Sequence, residues 1–193
     1  MNALAALEDA GFEQGLERDG WSWAWHPARG WFEFAIDRFV TELAQVAAGP
    51  AIGGWIFESN LAVVAGAEPE GEGFRLTLND PGGLTGDPEA ASWAQAISSP
   101  EAIARSADRL AQWSRHAPRS VTAATIIEWT PSAGEQRVHP PSDPERADLF
   151  FGGPNPWRTY DGETYWMFAE DSVRLLFSLL GFPPFDSTSS PAD

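Results

Sequence analysis

The sequence predicts an α+β fold, an antiparallel sheet of about four to six strands with helices packed mainly on one face. Three observations carry that expectation. Stretches of period-two alternation are separated by turn residues, as in hairpins. Stretches with apolar residues at helical spacing lie between them. Regular β-α-β alternation, the mark of a parallel sheet, is not visible. The 193 residues fit one globular domain over 1–186, with a tail at 187–193 expected to be disordered.

In chain order, Asn2 to Glu17 reads as a short helix, with Leu4, Leu7 and Phe12 as a weak apolar face and Gly11 and Gly15 limiting its length. Trp21, Trp23 and Trp25 alternate and share one face of a strand, and His26 to Gly30 has turn chemistry. From Phe32 the spacing turns helical through Ile36, Phe39, Val40, Leu43, Val46 and Ala47, and Gly49-Pro50 stops it. Its start is ambiguous, because Trp31 to Ile36 also alternate like a strand that could pair with Trp21 to Trp25, leaving Asp37 as the cap. Trp55 to Ala65 is a long β-like stretch. Glu68-Pro69-Glu70-Gly71-Glu72-Gly73 makes an exposed acidic turn, after which Phe74, Leu76 and Leu78 alternate with Arg75, Thr77 and Asn79. This is the best hairpin in the chain.

Asp87-Pro88-Glu89 and Ser99-Pro100-Glu101 each place a capping oxygen before a proline suited to the first helical position, with an acid in the first turn. Asp143-Pro144-Glu145 repeats the pattern ahead of a short helix to Leu149. The second helix, Pro100 to Ala117, buries Ile103, Ala107, Leu110 and Trp113. Val121 to Thr130 reads as a strand, 131–163 shows little periodicity, and Thr164 to Phe168 reads as a last strand. Asp171 caps a closing helix, Ser172 to Leu180, with Gly181 at its end. Only Arg174 and Ser178 give this helix a polar edge, so it is expected to be nearly buried.

Composition narrows the function classes. The chain has no cysteine, which removes disulfide scaffolds, Cys-ligated zinc and thiol catalysis, and fits a reducing compartment. No signal peptide or membrane-spanning stretch is visible, so the expected location is the cytoplasm. The 28 acids against 12 bases give a formal net charge of -16. Every base is Arg. That balance opposes phosphate recognition, hence no nucleic-acid partner, and favours a basic partner or simply solubility.

Chemical motifs are absent. Without lysine there is no P-loop and no Schiff base, and no metalloprotease, EF-hand or nucleophile-elbow pattern occurs, so no cofactor is expected. His26, His116 and His139 are scattered, which suits surface or capping roles better than a metal site. Glu58 and Glu128 each sit in an apolar stretch read as a strand, and on neighbouring strands they could serve as acid and base. The plainer reading is that both face solvent or pair with arginine. Arg105, Arg109 and His116 form a basic stripe able to hold an anion, or to be neutralised by the protein's own acids.

The most suggestive segment runs from Phe150 to Trp166, in a loop-like context that ends in the strand read from Thr164. Trp157, Arg158, Tyr160, Asp161, Tyr165 and Trp166 belong to the residue types that dominate binding hot spots, combining large apolar area with polar handles. The same residues would suit stacking on a sugar or base, or would simply plug a loop onto the sheet. Together with the acids Glu68, Glu70 and Glu72, they point to a non-enzymatic acidic protein that binds a basic protein partner stoichiometrically, as a bacterial immunity protein, inhibitor or secretion chaperone does. The alternative is a small-molecule hydrolase using Glu58 and Glu128. The partner's identity and the oligomeric state are not written in the sequence.

Overall fold

A computed structural model describes residues 3–9, 11–18, 20–25, 36–57, 61–71, 73–78, 92, 96, 99–129, 157–160, 163–166 and 169–182. The chain groups into two compact units, Met1–Trp55 with Val63–Leu76, and Ile56–Ala62 with Thr77–Asp193. Helices and antiparallel strands are both present, so the class is α+β. Among the described residues the largest sheet has three strands, short of the expected four to six, and two further pairs of strands stand separately.

In the first unit, helix α1 spans Ala3–Asp9, strand β1 Glu13–Arg18, strand β2 Trp21–Trp25 and helix α2 Ile36–Ala47. The expected helix to Glu17 therefore stops early. Gly11 takes a left-handed φ of 82°, its N–H donates to the Glu8 carbonyl at 2.9 Å, and the Phe12 N–H donates to the Leu7 carbonyl at 2.9 Å. That pair of bonds closes a helix and turns the chain out of it. Glu13–Arg18 then pairs antiparallel with β2, from Glu13↔Trp25 to Arg18↔Trp21, with an irregularity between Gln14 and Glu17. Sequence alternation suggested Trp31 to Ile36 as another partner for β2; 26–35 lie outside the described residues. Helix α1 packs beside α2, β1 and β2, and Phe12 stacks on Phe39 of α2 at 5.1 Å and 11°.

Strands β3 (Ala51–Phe57), β4 (Leu61–Ala67) and β5 (Phe74–Leu78) form the three-stranded sheet in that order. The long stretch expected at Trp55 to Ala65 is thus divided between two strands. The boundaries between the two units fall within these strands. Every residue of β4 is buried, and successive strand residues point to opposite faces, so both faces of the sheet are covered there. Phe74, Leu76 and Leu78 are buried as their alternation predicts, but Thr77 between them is buried too, at 1% exposure. Helix α2 comes close to β3, where a β-carbon on Gly53 would sit 3.1 Å from Val40 Cγ2. Asp37, in the first turn of α2, accepts a hydrogen bond from the Arg75 guanidinium of β5 at 3.2 Å.

In the second unit, helix α3 is Pro100–Trp113. Ser99 caps it as expected, with φ -63 and ψ 148, its hydroxyl accepting from the Ala102 N–H at 3.2 Å. Its buried residues are the expected Ile103, Ala107, Leu110 and Trp113. A 3-10 turn, Ser114–His116, follows. Buried Ser114 holds the next connection: its hydroxyl donates to the Ala111 carbonyl at 2.7 Å and accepts from the Val121 N–H at 3.0 Å.

The strand expected at Val121 to Thr130 is instead helix α4, Ala123–Trp129. Its β-branched residues suggest a strand, but Thr122 acts as an N-cap, accepting the Thr125 N–H on its hydroxyl at 3.1 Å while its carbonyl takes the Ile126 N–H at 3.0 Å. Burial follows helical rather than strand logic: Ile126 is 0% exposed, and its neighbour Ile127 is 45% exposed.

Strands β6 (Trp157–Tyr160) and β7 (Glu163–Trp166) pair antiparallel, and helix α5 (Ala169–Leu179) packs beside β7 and α4. Helix α5 begins before the expected Asp171 cap, and its interior is as buried as expected: Leu175 and Leu176 are 0% exposed and Leu179 2%, while Arg174 is exposed. The helices expected at Asp87 and Asp143 and the tail at 187–193 lie outside the described residues. No helix among the described residues is long and apolar enough to cross a membrane.

Helices α1, α2 and α5 end alike. In α5 the left-handed residue is Gly181 (φ 80), and the Phe182 N–H reaches the Phe177 carbonyl at 3.0 Å while the two rings meet at 5.6 Å. In α2 the position is taken not by Gly49 but by Ala48, at φ 49. A β-carbon in that region costs about 1–2 kcal/mol, and glycine's extra chain entropy costs about 0.5–1 kcal/mol. Ala48→Gly is therefore expected to stabilise the protein by up to about 1 kcal/mol. Gly181→Ala is expected to destabilise it by about 1–2 kcal/mol or more, since the new methyl would also lie 3.0 Å from Arg119 Cβ and 3.2 Å from its backbone nitrogen. Chemical denaturation of both variants checks the opposite signs; a loss in the first would place the strain elsewhere.

Candidate partner-binding surface

Within the loop-like segment, 157–160 is a strand, and it forms a hairpin with β7, which overlaps the strand expected at Thr164 to Phe168. Its register is Trp157↔Trp166, Arg158↔Tyr165, Thr159↔Thr164 and Tyr160↔Glu163. Directly opposed residues share a face of an antiparallel pair. Positions 157, 159, 164 and 166 therefore lie on one face, and 158, 160, 163 and 165 on the other. One face carries two Trp and two Thr; the other carries Arg158, Tyr160, Glu163 and Tyr165. Asp161, a candidate contact residue, lies with Gly162 in the two-residue connection, outside the described residues. Its dipeptide was nonetheless the available signal, since Asp-Gly between alternating segments favours a tight hairpin. The same dipeptide, Asp19-Gly20, joins β1 to β2, and Gly20 has the left-handed φ of 81° that such turns require.

The acidic turn belongs to the first unit. The Gly71 N–H donates to the Glu68 carbonyl at 3.3 Å, and the Glu68 side chain lies over Gly71, where an added β-carbon would be 3.0 Å from Glu68 Cβ. Glu68 is half-buried, Glu70 is exposed, and Glu72 lies outside the described residues. Exposed carboxylates at a turn raise the local negative potential at little structural cost. Some of the arginines serve the fold: Arg38 bonds Glu42 at 2.8 Å, and Arg75 reaches Asp37. The hydrogen bond that Arg38 donates to Glu42, and then the Glu42 charge, raise the Arg38 pKa above its usual value.

One member of the expected carboxylate pair is not on a strand. Glu128 is on helix α4 rather than on a strand, so the arrangement of two adjacent strands is lost; Glu58 lies outside the described residues. His26 and His139 also lie outside them. His116 accepts a hydrogen bond from Arg115 Nε at 3.1 Å, and its ring meets Trp113 edge-on at 6.4 Å. Among the described residues no cluster of three or more His, Cys, Asp or Glu could hold a metal ion.

Arg105 and Arg109 are exposed on α3, but so are Glu101 and Asp108. Mixed signs at these spacings on one helix suit local neutralisation better than an anion clamp. Arg105→Ala and Arg109→Ala are each expected to change stability by less than about 1 kcal/mol. A rise in melting temperature with added phosphate, lost in the double variant, would establish an anion site instead. Comparison with protein-family models, with curated proteins and with solved structures finds no match for this chain.

Proposed function

We propose that this protein is a non-enzymatic acidic binder that grips a basic protein partner stoichiometrically in the cytoplasm, as an immunity protein, inhibitor or secretion chaperone would. The observation that carries the reading is a hairpin bearing Trp157, Arg158, Tyr160, Tyr165 and Trp166 in a chain of net charge -16. The charge accelerates encounter with a cationic surface, an effect that weakens as salt is added. Desolvated aromatic and Arg side chains then hold the complex. Neither nucleic acid nor membrane is part of the reading, and no cofactor is needed.

Two classes of variant separate these roles. Neutralising Glu68, Glu70 and Glu72 together is expected to slow association and flatten its salt dependence, with dissociation little changed. Trp157→Ala or Tyr160→Ala is expected to speed dissociation, at a cost of roughly 2 kcal/mol or more for a hot-spot residue. Surface plasmon resonance against the protein recovered by pull-down reads both rates. If no protein co-purifies, and the pure chain turns over a small molecule in a manner lost with Glu58→Gln or Glu128→Gln, the binding reading gives way to an enzymatic one.

A further inference from the structure

We draw no further inference here: the strongest candidate, the outer edge of the three-stranded sheet at β3, where Gly54 and Ile56 are exposed, carries nothing because the structure does not show what covers it.

Discussion

Leu176→Ala is expected to destabilise the protein by about 2–5 kcal/mol, the range for deleting a buried leucine when the cavity closes only partly. Leu176 is 0% exposed in the middle of α5, next to Leu175 at 0% and Phe177 at 4%. The loss has two parts, the transfer energy of the deleted carbons and the contacts that the cavity lining forfeits. In a protein this size it should lower the melting temperature by roughly 4–20 °C. Arg174→Ala, on the exposed edge of the same helix, serves as the control and is expected to cost less than about 1 kcal/mol. Circular dichroism melts of the two variants decide the point. Equal melting temperatures for wild type and Leu176→Ala would remove α5 from the core.

Gly66→Ala should also destabilise, by about 1–3 kcal/mol, the cost of overpacking a filled interior. The sign is informative, because replacing glycine within a strand by alanine ordinarily strengthens it by about 0.5–1 kcal/mol. Here Gly66 lies in β4, buried along its whole length, and a β-carbon on it would overlap the Phe74 ring of β5. Phe74 is only 3% exposed, so its ring is itself part of the buried interior that the new methyl would enter. Shortening the intruding side chain should restore part of the loss. The double variant Gly66→Ala/Phe74→Leu is therefore expected to be more stable than the sum of its single changes, with a coupling of about 0.5–3 kcal/mol. Strict additivity in a denaturation-based double-mutant cycle would show that the ring does not lie over Gly66.

The candidate surface shows how local chemistry can be present in a sequence and still be misread. The hot-spot residue types at 157–166 were visible, and so was the Asp-Gly dipeptide that makes the segment a hairpin. Weak periodicity and the Pro, Gly, Asp and Ser content of 131–163 nevertheless suggest a loop up to the strand expected at Thr164. The register then added what composition lacked, by dividing the six expected contact residues: Trp157 and Trp166 on one face, Arg158, Tyr160 and Tyr165 on the other, and Asp161 in the connection.

By itself, the sequence determined the features that follow from short-range physics. Ser99-Pro100 started α3 where a capping hydroxyl and a proline can start a helix, and helical spacing selected Ile103, Ala107, Leu110 and Trp113 as its buried stripe. From Val173 to Leu180 only Arg174 and Ser178 are polar, and that run determined the burial of the C-terminal part of α5. Only the tertiary structure decided what depends on distant partners. Val121 to Thr130 favours a strand by intrinsic propensity, yet a Thr122 cap, the Ser114 hydroxyl and a buried Ile126 hold Ala123–Trp129 as a helix. Glu13–Arg18 has no strand-like alternation of its own and becomes a strand because β2 supplies its hydrogen bonds. Thr77 is buried because both faces of the sheet are covered, a fact absent from its own neighbourhood in sequence. Propensities amount to at most about 1 kcal/mol per residue, and a single well-buried side chain outweighs them.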